Sequence, residues 1–393
     1  MTEMAEEKLN PIRNISELKY DSTSPGWWVR FKLDKHIQKA FYDSQHGGHK
    51  NALAIAKRFR DAMERELEPE RIAPGIAAGT MTKRNKSGIV GVKRVDGSYQ
   101  KEGYTCRELK WVSHWPTIGG KRDQASFSIR KLGEREAREL AINARLNGLH
   151  EFNAHAYQTF RPPAHDLKLW RYMDFTKFVS TLENSGLFFA RAIKMDDAFE
   201  GGYSRGNEEL RELVYKVLGP FQLDPRSVNK RRHDVVLNCW HGSEHESAAM
   251  WKLYSSAAES ICIQTSFSRL RKCLPLGVEI GRVQYIDYET EWVPERHHTL
   301  PFLYKRKSFE HEQEFRAIRD LTNKETAHNI KNKAGENGLW VDCNLDELIQ
   351  AVYVAPNVPR WFSDLVTQVI ERYGLNAPVL ASSLELKPHT RHV

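Results

Sequence analysis

Short aromatic runs with partial alternation, followed by an alanine-rich segment of helical period, occur twice in the first 150 residues of this 393-residue chain. GWWVRFKL (Gly26–Leu33) and IQKAFY (Ile37–Tyr42) read as paired strands. Gly47-Gly48 turns the chain into a helix on which Ala52, Ile55, Ala56, Phe59, Met63 and Leu67 share one face. Pro69 closes it, and the Pro- and Gly-rich stretch Leu67–Lys86 reads as a linker. The plan then repeats. IVGVKRV, YTCRELKWVSHW and ASFSIRK are the strands, and EREARELAINARL, with Ala137, Leu140, Ala141 and Ala144 on one face, is the helix.

Beyond Arg161–His165 the pattern changes to helices and strands in alternation. LKLWRYMD, LFFARAI, SICIQTSF, VEIGRVQYIDY and APVLASSLE read as strands. FTKFVSTLEN (opened by Asp174), NEELRELVYKVLG, SRLRKCL and RWFSDLVTQVIERYGL read as helices. The expected fold class is α+β: two small three-stranded-sheet-plus-helix modules at 20–70 and 86–150, then a larger mixed α+β domain at 166–390.

Charge divides the chain at the same place. Residues 1–165 hold 29 Lys and Arg against 20 Asp and Glu, whereas the remainder holds 30 against 31. A basic part joined to a neutral one points to a polyanion-binding unit carrying a domain with another task. No run of about 18 apolar residues occurs, so no membrane span is expected. The polar N-terminus lacks the layout of a secretory signal, and the five scattered cysteines suggest reduced thiols, a cytoplasmic setting and no structural metal. GxxxxGK[ST], GxGxxG and HExxH are absent, which sets aside P-loop, Rossmann and zincin chemistry.

SGIVGVKR (Ser87–Arg94), WVSHW (Trp111–Trp115) and SFSIRKLGEREARELA (Ser126–Ala141) resemble the Apetala-type, ethylene-response-factor DNA-binding domain; the first module matches more weakly. The resemblance implies a sheet face set in the major groove of duplex DNA. By position it implies contacts from Lys93, Arg94, Trp111 and His114, with Lys110, Lys121 and Arg122 on phosphates by their charge. Arg30, Lys32 and Lys39 are the analogous residues of the first module. Core packing is the competing role for the aromatics, Trp28 and Trp115 above all. His114 and Pro116 depart from the family pattern, so base preference does not carry over.

LWRYMD, LFFARA, MWKLY, ICIQTSFSRL and FEHEQEFR resemble a widespread bacterial domain family of unknown function, often found in mobile and phage-defence loci. Within it, Arg171, the Thr265-Ser266 strand end and Glu312-Gln313-Glu314 follow an order similar to the Arg…Ser-Thr-Ser…Glu-x-Glu of mono-ADP-ribosyltransferases. That resemblance implies NAD as cofactor. It gives Arg171 the phosphate, Ser266 a bracing role, Glu312 the incoming nucleophile and Glu314 the oxocarbenium. Tyr172, Trp251, Tyr254 and Thr265 would complete the cofactor site, although Gln264 stands where the pattern has serine. A metal-dependent nuclease built on Asp196, Asp197, Glu200, Glu312 and Glu314 is the first alternative, and a non-catalytic DNA-binding regulator the second.

Overall fold

The computed structural model describes residues 14–18, 24–32, 36–68, 89–101, 103–117, 121–219, 227–254, 259–322 and 335–385. The linker residues 69–86 lie outside them.

The first module is an antiparallel sheet of β1 (Ile15–Leu18), β2 (Gly26–Lys32) and β3 (His36–Tyr42), followed by the helix His49–Glu66. β1 begins upstream of the expected boundary at residue 20. Four residues with one buried side chain are too short and polar to announce a strand. The second module is β4 (Val92–Lys101), β5 (Tyr104–Pro116) and β6 (Arg122–Ser128), with the helix Glu134–Ala156 packed on one face.

The C-terminal domain is built on a nine-stranded sheet. Its strands are β7 (Lys168–Asp174), β8 (Gly186–Arg191), β9 (Val235–Gly242), β10 (Ser260–Ser266), β11 (Glu279–Arg282), β14 (Glu314–Asp320), β15 (Gly338–Asp342), β16 (Ala351–Val354) and β17 (Val379–Ala381). β12 (Gln284–Ile286) and β13 (Tyr304–Arg306) pair apart from it. The order is β11-β14-β9-β7-β10-β16-β17, with β8 also on β9 and β15 on β8. Every pairing within this sheet is antiparallel except β16 with β17.

The sheet forks at β9. One edge of β9 pairs with β14 along its length, while the other meets β7 only at Trp170 and Leu169 and β8 only at Ala190 and Arg191. A buried backbone group left without a strand partner needs another donor or acceptor. Arg171 supplies one by donating from Nη1 to the Cys239 carbonyl (3.1 Å), and the Asn238 amide donates to the Phe188 carbonyl (2.9 Å). The main core lies on one face of this sheet and includes Leu169, Met173, Trp240, Ile261, Ile263, Phe315 and Ala317. The opposite face carries two smaller clusters, one around Leu237, Phe302 and Ile318, the other around Trp170, Tyr172 and Trp251.

Neither module hangs free. Phe59, Ala62 and Met63 of the first helix share a core with Leu210, Val214 and Trp292 of the C-terminal domain. The second module's helix reaches the same domain through Asn153, which donates to Glu279 (2.6 Å), and through His150, 2.8 Å from Arg271. Both modules therefore dock through their helices.

Candidate functional site

β14 reads as a charged segment, Glu-Phe-Arg-Ala-Ile-Arg-Asp, yet it lies between β11 and β9 with all but its last residue buried. Strand alternation explains the composition: Phe315 and Ala317 enter the main core, while Glu314 and Arg316 point to the other face. A buried charge must be paired there. Arg316 donates to both oxygens of Glu314 (2.9 Å each) and to both oxygens of Glu200 (2.6 Å each). Lys305 of β13 donates to Glu312 and lies 3.4 Å from Glu314. Tyr254 donates its hydroxyl to Glu312 (3.1 Å), and the Tyr285 hydroxyl accepts from the Glu314 backbone (2.9 Å). Gln313, between the two glutamates, is left-handed at φ 41°. That bend brings consecutive carboxylates onto one lysine.

Burial alone would raise the Glu314 carboxyl, but Arg316 and Lys305 outweigh it and hold it down to about 2. Burial works against the Lys305 ammonium too, and Glu314 and Glu312 reverse it, so Lys305 is held above its ordinary value. Burial, and then Glu314, push the neighbouring Cys239 thiol well up. His241 lies in register with Glu314, and its Nδ1 is 2.6 Å from the Glu312 carbonyl oxygen. A carbonyl only accepts, so Nδ1 carries the proton; burial lowers the ring's affinity for a second proton, which favours Nε2 as an acceptor.

The other expected site residues fall in different places. Arg171 shares the main-core side of β7 with Leu169 and Met173, pairs with Ile263, and lies over the Trp240 ring at 5.9 Å. Its guanidinium therefore stands on the opposite sheet face from the carboxylate pair, and its bond to Cys239 closes the fork. Ser266 is a helix N-cap, accepting from the Arg269 backbone, and Thr265 donates to the Leu348 carbonyl. Tyr172 and Trp251 are buried against each other, ring centroids 4.9 Å apart, on the carboxylate side of the sheet. Tyr254 is exposed at 44% and joins that cluster to Glu312. One row crosses four strands on this face: Glu314, His241, Trp170 and Gln264. Lys168 stands one alternation beyond Trp170, exposed on the same side.

Lys305, Arg316, Glu200 and His241 are the members of this network that sequence reasoning gave no role in ADP-ribosyl transfer. Glu314 and Arg316 alternating with the apolar Phe315, Ala317 and Ile318 were the available signal. The carboxylates of the nuclease alternative are spoken for: Asp197 pairs with Arg306 (3.0 Å), Glu200 with Arg316, and Glu312 with Lys305. Asp196 is exposed and stands outside the network. Among the described residues no three His, Cys, Asp or Glu side chains form a metal-holding group. Among them, too, no helix is long and apolar enough to cross a membrane.

The modules sort their residues by face. In the second, Trp111 lies under the helix, buried, with its indole N–H on Glu134 (3.0 Å). Arg94 pairs with Trp111 in register and binds the same Glu134 (3.0 Å). These two are on the helix side, because the strand parity that buries Trp111 carries Arg94 with it. Trp115 is on that side as well, pressed against Gly148. Lys93, Lys110, His114 and Arg122 occupy the open face, and Lys121 is exposed just before β6. In the first module Lys39 is opposite Val29, on the helix side, whereas Arg30 and Lys32 face outward. Trp28 also faces outward, with the Arg30 guanidinium 5.2 Å from its ring.

No family model matches this chain. No curated protein matches it. Among solved structures it is similar to Thermus sp. 2.9 DarT in complex with carba-NAD+, at 7% identity and a TM-score of 0.26, over 56% of this chain and 97% of that one. An overlay that loose assigns no role to any residue here.

Proposed function

We propose that the C-terminal domain transfers ADP-ribose from NAD to DNA or a DNA-associated target. The observation that supports this reading is the Glu312–Lys305–Glu314 group, two adjoining carboxylates of which Glu314 is held ionised in a buried site. A developing ribosyl oxocarbenium needs a fixed negative charge in a place that excludes water. Glu314 has that property. Glu312 takes the proton of the incoming nucleophile, and the exposed Tyr254 covers the nicotinamide ribose. Lys168, on the same face, replaces Arg171 as the cation for the pyrophosphate. The nuclease alternative is disfavoured because its carboxylates do not converge: Asp197 and Glu200 are held by Arg306 and Arg316, Asp196 is exposed apart from them, and no metal-holding group forms among the described residues.

The test is incubation of the full chain with labelled NAD and DNA, followed by mass spectrometry of nucleosides and protein. Label should transfer with a chelator present. Chelator-sensitive cleavage of DNA without NAD turnover would reject the reading, and DNA binding with neither activity would favour the regulator.

In the same reading DNA binds the open sheet faces, through Lys93, Lys110 and Arg122 in the second module and Arg30 and Lys32 in the first. Reversing Lys110 and Arg122 to Glu should weaken binding and flatten its salt dependence by about one counterion for each phosphate no longer neutralised. Arg94→Glu should leave the salt slope unchanged and lower the unfolding midpoint, because it sets two carboxylates together on the helix side. Fluorescence anisotropy against salt, beside a denaturation curve, separates the two. An equal reduction of slope in both variants would show that the sheet face does not govern DNA binding.

A further inference from the structure

The first module meets the C-terminal domain around one buried carboxyl. Glu66, the last residue of the helix His49–Glu66, is 2% exposed. Its Oε1 accepts from the Trp292 indole (2.6 Å) and from the Glu295 backbone N–H (2.6 Å). Its Oε2 is buried with no hydrogen-bond partner among the described residues. Glu295, fully buried beside it, accepts from Asn207, Arg211 and Tyr215, so the nearby guanidinium of Arg211 serves that carboxylate. Arg65, one residue earlier, is committed to Glu291 (2.5 Å) and the Trp292 carbonyl (2.5 Å).

Every element packed on Glu66 contributes to its setting. The loop places Glu295 and Arg296 beside it, the first disfavouring and the second favouring its charge. Tyr157 and Tyr304 are buried phenols that feel Glu66 and Glu68. Arg65 and Glu291 act on Tyr304 too, in opposite directions. Burial is the largest influence and, with Glu295, pushes the Glu66 carboxyl up to about 7 against the hydrogen bonds it accepts. An ionised Glu66 would put a bare oxygen and a second negative charge in a dry interface.

We propose that the joint between the first module and the C-terminal domain is a proton-operated latch, closed while Glu66 is protonated and released as it ionises. The proton leaves to solvent, and the carboxylate is hydrated only if the helix end lifts from Trp292 and Glu295. Because its value in the closed joint lies above its free value, the stabilisation is complete below about 4.5. It is lost as pH rises through about 7. The latch has a direct line to the carboxylate site: Tyr304 of β13 faces the joint, and the next residue, Lys305, holds Glu312 and Glu314. An effect on transfer rests on the function proposed above; the latch itself does not.

Hydrogen exchange of residues 49–66 in the full chain, with intrinsic rates divided out, reads the latch without reference to activity. Opening should increase about tenfold per pH unit between about 4.5 and 7, roughly 300-fold in all, and then level off. Glu66→Gln keeps an acceptor for Trp292 and Glu295 and should make opening flat over that range. Wild-type protection that does not change with pH, or a Glu66→Gln variant that follows the wild type, would overturn the proposal. If that variant does not fold, infrared difference spectra of the wild type decide the matter. A protonated-carboxyl band should vanish through neutrality, and its absence at about pH 5 would be equally fatal.

Discussion

On the function proposed above, Glu314→Gln should slow ADP-ribosyl transfer by about 10²–10³-fold, roughly 3–4 kcal/mol of transition-state stabilisation, while NAD binds nearly as before. The reason is positional. Arg316 and Lys305 outweigh burial and hold the Glu314 carboxyl down to about 2, so it carries its charge at neutral pH. The amide keeps the shape and one acceptor oxygen but not the charge. Arg316 retains Glu200 as a bidentate partner, so the cation is not abandoned. The loss should therefore fall on kcat, with KM little changed, and calorimetry should give a similar Kd for NAD. A variant with full kcat would remove Glu314 from the chemistry. An acid limb of the pH–rate profile at about pH 4–5 should therefore come from another group, because the Glu314 carboxyl is held down to about 2.

Glu200→Ala should destabilise the fold by about 3–5 kcal/mol in denaturant titrations, the cost expected when one member of a buried ion pair is removed. Arg316 is 1% exposed and also donates to the Phe302 carbonyl, so it has no route to water once Glu200 is gone. It would then draw on Glu314 alone, and the carboxylate that should face the ribose would shift with it. Transfer should fall along with stability. Glu139→Ala is the control: its pair with Arg135 is exposed, and its removal should change stability by at most about 1 kcal/mol. Equal effects of the two variants would mean that burial does not set the worth of the Arg316 network.

What the sequence by itself determined about this protein is local. Period-two aromatic runs and helical alanine patterns announced strands β2 to β6 and the two long helices, because each β-sheet–helix unit is made by neighbours in the chain. Strands β7, β8 and β10 and the helix Arg360–Arg372 were legible for the same reason. The Glu-x-Glu of residues 312–314 stood out as a charged pair ahead of apolar positions. Tertiary structure alone decided which way each strand faces. Alternation sorts Arg94 and Trp111 from Lys93 and Lys110, but only the packed helix says which set is covered. Likewise Arg171 was visible as an arginine in a buried strand; the fork at β9, made by pairings across the chain, turned it to the core face and gave it a carbonyl to satisfy. The Glu200–Arg316 pair joins residues 116 apart, and Glu66 meets Trp292 across 226. No local period encodes such pairs, because they arise only when burial forces distant charges and polar groups to find one another.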